Sequence, residues 1–189
     1  IETSDGRLLM FMRTSFQRIA RSESRDGGQT WSPVKLTSLL SSNSEIFLQR
    51  LPGSGDLLCV WNQASKREIE TGYYRARLTS AISKDNGTTW KNFRTVAMSP
   101  GQTRVTRILT GDPVSFLKTP RPVPRESEML GKEFHMNRAP RVQVIGESAY
   151  LVYTHRRYRY VAGALKRTVN QMRLRVFPVS WFHSAEPTK

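Results

Sequence analysis

Two eight-residue stretches, SRDGGQTW at residues 24–31 and SKDNGTTW at residues 83–90, decide how this sequence is expected to fold. Both follow the pattern S-x-D-x-G-x-T-W, and they begin 59 residues apart. The shared positions are Ser24, Asp26, Gly28, Thr30 and Trp31 in the first copy and Ser83, Asp85, Gly87, Thr89 and Trp90 in the second. A motif that recurs at such an interval is typical of proteins built from repeated blades of β-sheet.

The residue types of the motif suit a tight turn between two strands. A short acidic side chain accepts hydrogen bonds from backbone N–H groups in a turn. Glycine adopts a positive φ without steric strain, and tryptophan can fold back onto the hairpin as an apolar plug. We therefore expect the aspartates of the motif to stabilise turns rather than to act as catalytic acids.

The rest of the sequence also favours an all-β fold. Short apolar or loosely alternating runs are separated by turn-type residues, and no helical stripe occurs in the first 96 residues. The predicted strands are 7–13, 17–24, 44–51, 56–61, 77–83, 141–145, 149–154 and 173–179. Residues 97–138, which contain Pro113, Pro120, Pro122 and Pro124, are predicted to be an irregular insertion or loop, and residues 183–189 a polar tail.

Composition excludes several classes of protein. The chain of 189 residues carries 30 Lys+Arg against 15 Asp+Glu, a net charge of +15, and no apolar run approaches the roughly 20 residues that a membrane span needs. Cys59 is the single cysteine, so neither an internal disulfide nor a cysteine-rich metal site is possible. His135, His155 and His183 lack the spacing of metal ligands, and we expect neither a metal nor a cofactor.

The basic excess is concentrated in residues 117–189, which hold 14 Lys+Arg and 5 Asp+Glu. Residues 153–160 (YTHRRYRY) interleave aromatic and basic side chains, a pattern that can bind nucleic acid. A strand with a solvated basic face explains the same pattern and is the interpretation we favour, so nucleic acid is not the expected partner.

Beyond the motif, the sequence resembles the sialidases (neuraminidases), in which S-x-D-x-G-x-T-W is known as the Asp-box or bacterial neuraminidase repeat. Residues 2–13 (ETSDGRLLMFMR) and 18–24 (RIARSES) are similar to the central part of the bacterial enzymes. Residues 75–83 (RARLTSAIS) are similar to the strand that leads into an Asp-box, and residues 172–182 (MRLRVFPVSWF) to the closing strand.

This resemblance covers residues 1–96, is looser over about 140–182, and implies a six-bladed β-propeller of four-stranded antiparallel sheets. At roughly 50 residues per blade a complete propeller needs about 300 residues, so this chain would form about three blades. Residues 1–182 are thus expected to be a partial propeller, the C-terminal half of a sialidase, whose remaining blades come from a missing N-terminal segment. The resemblance also implies a secreted or extracytoplasmic location.

The resemblance assigns substrate binding to two arginines. Sialidases bind the carboxylate of sialic acid with three arginines, and the positions that match two of them are Arg13 and Arg75. A guanidinium group suits this role because it stays charged and binds a carboxylate through two parallel hydrogen bonds. The expected ligand is a sialylated or otherwise acidic glycan.

The catalytic groups of the family are not found. Its nucleophile is a tyrosine activated by a glutamate; the glutamate would precede Ile1, and the position of the tyrosine is Ala139. Either the nucleophile has been lost, or residues 97–138 displace it, or that stretch is the product of a frameshift. The first arginine and the acid/base aspartate of the family belong to its N-terminal half.

Two functions of different classes follow. The first is a fragment of a sialidase-like glycoside hydrolase that removes terminal sialic acid, or a similar acidic sugar, from glycoconjugates. The second is a non-catalytic Asp-box propeller that binds glycans or a protein. The positions of Arg13 and Arg75 favour the first, and Ala139 favours the second. A third, binding of polyanions, rests on charge alone and predicts a steep dependence on salt.

Overall fold

A computed structural model describes residues 1–102, 104 and 122–185. The strands are β1 (Leu8–Arg13), β2 (Arg18–Ser24), β3 (Lys35–Leu40), β4 (Phe47–Arg50), β5 (Leu57–Trp61), β6 (Arg77–Ser83), β7 (Lys91–Met98), β8 (Glu133–Ile145), β9 (Ser148–Val161) and β10 (Ala164–Pro178). The helical elements are α1 (Lys66–Glu70), α2 (Val179–His183) and two 3-10 turns at Glu126–Glu128 and Leu130–Lys132. Of the helices in these described residues, none has the length and apolar character to cross a membrane. The prediction of an all-β fold is confirmed.

The strands form three antiparallel sheets that follow one another along the chain. The first sheet has the order β1-β2-β3, the second β4-β5-β6-β7 and the third β10-β9-β8. The turn of residues 24–31 joins β2 to β3, and the turn of residues 83–90 joins β6 to β7. Each motif therefore links the last two strands of its sheet, so the two motifs occupy equivalent positions in two successive sheets.

The second sheet is packed between the other two, and β5 shows why its sequence is so apolar. Leu57, Cys59 and Trp61 belong to the core shared with the first sheet, which contains Leu9 and Ile19. Leu58 and Val60 lie in the core shared with the third sheet, which also contains Leu151, Phe177 and Phe182. Because both faces of β5 are covered, its sequence is an uninterrupted apolar run and not an alternating one.

The two motif turns have the same hydrogen bonds. In the second copy the Ser83 hydroxyl accepts from the Gly87 amide (2.8 Å), and the Asp85 carboxylate accepts from the amide and the hydroxyl of Thr89 (2.7 and 2.5 Å). The indole N–H of Trp90 donates to the Gly87 carbonyl (3.2 Å). Ser24, Asp26, Gly28, Thr30 and Trp31 make the corresponding contacts in the first copy. These side chains form hydrogen bonds with backbone groups of the turn, and each aspartate accepts hydrogen bonds from residues of its own motif.

The environments of the two turns nevertheless differ. Trp90 is 6% exposed and packs against Phe11 of the first sheet, with 5.8 Å between ring centroids. Trp31 is 38% exposed. The second motif is therefore a packing contact between two sheets, whereas the first lies at the edge of the described structure.

Several elements differ from the predicted ones. The strands β3 and β7, which follow the two motifs, were not predicted, since their sequences show little alternation and they form by pairing with β2 and β6. The hairpin of β9 and β10 is much longer than predicted because its outer half is stabilised by strand pairing, with mostly exposed side chains in β10.

The irregular stretch predicted for residues 97–138 has strand at both ends. Its first two residues belong to β7, and its last six belong to β8. Residues 103 and 105–121, including Pro113 and Pro120, lie outside the described residues, as do residues 186–189 of the predicted tail.

Candidate functional site

The site predicted from the two arginines lies at one end of the sheets. The motif turns occupy one end of the first two sheets, and β1, β3 and β5 finish at the opposite end, where β6 begins. We call this opposite end the arginine end. Arg13, the last residue of β1, and Arg75, two residues before β6, both lie there.

Arg75 is held inside the protein. The residue is 9% exposed, its Nη2 donates to the carbonyl of Asn43 (3.3 Å), and its guanidinium carbon lies 5.8 Å from the centre of the Tyr74 ring. Its carbonyl accepts a hydrogen bond from the amide of Asn137 in β8 (2.9 Å). Arg75 thus connects the second sheet to the third, and the backbone around it is fixed on both sides.

An ion pair that was not predicted lies beside Arg75. Arg138 of β8 donates through Nη2 to Oε1 of Glu45, which precedes β4, and each side chain is 25% exposed. Burial raises the pKa of Glu45, but hydrogen bonds from its own backbone and from Arg138, together with the charges of Arg75 and Arg138, hold this pKa below its usual value. Two guanidinium groups therefore act on one ionised carboxylate.

Sequence reasoning missed Glu45 and Arg138 because they are 93 residues apart and neither belongs to a local motif. Arg138 directly precedes Ala139, the position at which a tyrosine was expected. The two residues come into contact only because the second and third sheets pack against each other.

Arg13 is placed differently from Arg75. It is exposed, and its side chain makes no hydrogen bond or ion pair within residues 1–102, 104 and 122–185. It is paired through its backbone with Ile19 at the end of β1. The structure thus brings both arginines to the same end of the sheets but describes no contact that joins them.

A second ion pair, more deeply buried than that of Glu45 and Arg138, lies at the arginine end. Nη1 and Nη2 of Arg77 donate to the two carboxylate oxygens of Glu68 (3.1 and 2.5 Å). The same carboxylate accepts from the Ser65 amide (2.8 Å), while the Ser65 hydroxyl accepts from the Glu68 amide, which completes a capping box at the start of α1. Arg77 therefore fixes a short helix in place.

Ala139 lies in a β-bulge. The register between β8 and β9 shifts between Arg138 and Arg141, and Ala139 has a positive φ of 51°. The six tyrosines of the chain are all described, and Tyr74, whose ring lies beside Arg75, is buried with Ala64 and Ile69. The position at which the sequence resemblance expects the nucleophile holds an alanine.

The histidines form a pair and an isolated contact. The rings of His135 and His155 meet edge to face at 4.8 Å, and Nδ1 of His155 lies 2.9 Å from Oδ1 of Asn137. His183 contacts Asp56 at the other end of the sheets (2.9 Å). Within the described part of the chain there is no group of three or more His, Cys, Asp or Glu side chains that could hold a metal ion.

A family model described as "BNR repeat-like domain" matches residues 1–160. A comparison with curated proteins finds no match. The fold is similar to that of the intramolecular trans-sialidase from Ruminococcus gnavus, with a TM-score of 0.56 and 16% identity, over 98% of this chain and 33% of that protein.

A second solved structure is similar over nearly the same residues. The α-L-arabinofuranosidase of Fusarium graminearum aligns with a TM-score of 0.51 and 17% identity, over 94% of this chain and 46% of that enzyme. This chain therefore spans a third to just under half the length of these enzymes. Its three sheets form a partial β-propeller, a fold that the chain shares with these two enzymes. With most of its length matched by the family model, the chain belongs to the BNR repeat-like domain family, within the superfamily that includes the sialidases.

Proposed function

We propose that this chain is the part of a sialidase-like glycoside hydrolase that binds the carboxylate of an acidic sugar. The observation that carries the proposal is the buried guanidinium of Arg75 at the arginine end, 9% exposed and held from two sides. Arg13 ends a strand at the same end and is proposed as a second ligand of the carboxylate.

The chemistry of Arg75 supports an acidic ligand over a neutral one. A guanidinium group remains charged when it is removed from water, and its fork of N–H donors matches the two oxygens of a carboxylate. Such a charge-assisted contact is stronger where water is excluded. A neutral sugar offers only hydroxyl groups, whose contacts with a guanidinium lack the opposite charge that strengthens such a hydrogen bond.

Catalysis is proposed for the complete propeller and not for this chain alone. Ala139 supplies no nucleophile, and the remaining groups of a sialidase site belong to blades that precede these residues in the family. The two similar enzymes are two to three times longer than the matched part. We expect residues 1–189 by themselves to release no fluorophore from a fluorogenic sialoside, and robust turnover by this chain would contradict that expectation.

The exposed face of β10 supports the proposal that a further blade covers the third sheet. Met172, Leu174 and Val176 alternate along β10 and are 70%, 59% and 53% exposed. Apolar residues at this density on one strand face are typical of a covered surface. Light scattering should therefore show self-association of the isolated chain, and Leu174→Lys should reduce it; a monodisperse wild-type chain would argue against missing blades.

A non-catalytic binding propeller is the second candidate, and the alanine at position 139 favours it. In that case Arg75 would still bind a glycan, but even a form of the protein with additional blades would not hydrolyse it. Hydrolysis of a sialoside by the longer protein would exclude this alternative.

The binding proposal is tested with N-acetylneuraminate, its methyl ester and arabinobiose, which differ in charge. Isothermal titration should show that the acid binds more tightly than the other two. Arg75→Met should weaken binding of the acid by about tenfold, the equivalent of one charge-assisted contact. Arg167→Ala, which removes an exposed charge from β10, is the matched control and should have no effect. Equal binding of the acid and arabinobiose would contradict the proposal.

A further inference from the structure

The Glu45–Arg138 ion pair leaves most of the Arg138 guanidinium available. An arginine carries five N–H donors. Among the described residues, the Arg138 side chain makes one polar contact, in which Nη2 donates to Oε1 of Glu45. The side chain is 25% exposed, so the pair is accessible to solvent.

The backbone next to Arg138 is unusually well fixed for a residue at the edge of a sheet. The amide of Asn137 donates to the carbonyl of Arg75 (2.9 Å), and its side-chain amide donates to the carbonyl of Ala76 (3.1 Å). The carbonyl of Asn137 accepts from the side chain of Asn62 (2.7 Å). All three contacts anchor β8 to the second sheet, one residue before Arg138.

The bulge that follows Arg138 affects the direction of the Arg138 side chain. The positive φ of Ala139 and the register shift between Arg138 and Arg141 interrupt the regular alternation of β8. A bulge of this type re-aims side chains at the rim of a sheet. Here it accompanies the contact of Arg138 with Glu45 in the segment before β4, across the boundary between two sheets.

Three charged groups of the cluster act on one another. Arg75 and Arg138 contribute two positive charges, and Glu45, whose pKa is lowered by both, contributes one negative charge. Arg77 and Glu68 close by are already balanced by each other. A ligand carboxylate would accept hydrogen bonds from the N–H donors of Arg138 that Glu45 does not use. The second oxygen of Glu45, Oε2, is buried without a hydrogen-bond partner among the described residues, so this side chain is held by its contact with Arg138.

We propose that Arg138 is a further carboxylate-binding residue of the arginine end, adjacent to Arg75, and that Glu45 is the positioning residue that orients its guanidinium. This inference rests on the proposed function, because it names a second ligand of the same carboxylate. Arg138 lies in β8 and next to the position expected for the nucleophile, and the sequence resemblance assigned it no role.

The test compares the affinity for N-acetylneuraminate with the affinity for its methyl ester, in which the carboxylate charge is absent. Arg138→Ala should bind the acid about tenfold more weakly than the wild type and the ester equally well. Arg138→Lys keeps the charge but lacks the planar fork, so its loss for the acid should be intermediate. Circular dichroism of each variant establishes that it is folded, and the lysine variant serves if the alanine variant is not.

The positioning role of Glu45 has its own readout. Glu45→Gln keeps an acceptor for the Arg138 N–H group and removes the competing negative charge, so the acid should bind at least as tightly as to the wild type. Glu45→Ala removes the acceptor and should weaken binding of the acid severalfold. If both variants bind alike, Glu45 does not position Arg138.

The outcomes separate this inference from the proposed function. If Arg75→Met weakens binding of the acid while Arg138→Ala behaves like the control Arg167→Ala, the site stands and the role of Arg138 is wrong. If the wild-type chain does not distinguish the acid from the ester, the proposed function fails and the role of Arg138 fails with it.

Discussion

Arg77 and Glu68 form a two-point ion pair in which each terminal nitrogen of the guanidinium contacts a different carboxylate oxygen (3.1 and 2.5 Å). The Arg77 side chain is 3% exposed, and Glu68 also closes the capping box of α1. A single carboxylate therefore connects the start of β6 with a helix that has only five residues. A helix this short is not stable on its own in water, so its position next to Arg75 depends on this contact.

Glu68→Gln tests that dependence, since glutamine keeps the acceptor for Ser65 and removes the charge opposite Arg77. Loss of one partner of a buried ion pair should lower the free energy of unfolding by about 3 kcal/mol. The exposed pair of Lys66 and Glu70 on the same helix (3.9 Å) is the matched control, and Glu70→Gln should change stability by less than about 0.5 kcal/mol. Urea unfolding measures both, and equal effects would show that burial of the pair is unimportant.

The glycines of the two motif turns should respond differently to the same substitution. Gly28 and Gly87 both have a positive φ (94° and 82°), so alanine should lower stability by about 1 kcal/mol at either position. A Cβ at Gly87 would also lie 2.8 Å from Cδ2 of Leu9, which is buried between two sheets, whereas the nearest atom at Gly28 would be 3.4 Å away.

Gly87→Ala should therefore lower the melting temperature clearly more than Gly28→Ala, with an additional loss of about 1–3 kcal/mol from overpacking. Differential scanning fluorimetry of the two variants makes the comparison. A larger effect at Gly28 would contradict the packing of the second turn between the sheets.

Asp85 should make stability depend on pH in the acid range. Burial raises the pKa of its carboxyl, but hydrogen bonds from Thr89, Ser83 and Thr88 outweigh this and hold the pKa below its ordinary value of 3.8. Because the carboxylate is favoured in the folded state, its contribution is present above about pH 3.8 and is lost as the pH falls through the lower, folded-state pKa.

Asp85→Asn removes this titration. The variant should be less stable than the wild type at pH 7 by about 1 kcal/mol, the usual worth of such a turn-capping side chain, and the difference should shrink towards pH 2. Urea unfolding at both pH values measures it. A difference that is the same at both would mean that the ionised form of Asp85 has no special role.

The His155 side chain should remain neutral at pH values well below those at which histidine is usually protonated. Burial, and the positive charges of Arg173, His135 and Arg157, lower its pKa to about 4, while Glu133 acts in the opposite direction. NMR titration of its ring proton should give a midpoint near pH 4, and Arg173→Ala should raise it. Since protonation then favours the unfolded chain, this histidine should reduce stability as the pH falls below about 6.5. A midpoint near 6.5 would contradict the buried environment of the ring.

The sequence by itself determined the repeated turns and, through them, the fold class. Each motif acts within eight residues, so its serine, aspartate, glycine and threonine meet wherever the chain is placed. The apolar run of β5 also predicted a strand. That both faces of this strand are covered depends on the first and third sheets, which pack on either side of it. Strands such as β3 and β7 depend on a partner more than on their own pattern, and local reasoning missed them.

The contacts of the candidate site depend on the tertiary structure. Arg75 was found by its distance from a motif, which is a local property, but its burial and its contacts with Asn43 and Asn137 come from other parts of the chain. Arg138 and Glu45 meet across two sheets, and no spacing in the sequence relates them. Electrostatic interactions depend on distance in space and on the exclusion of water, and both are set by how the sheets pack, so the pairing of these charges is a property of the folded chain alone.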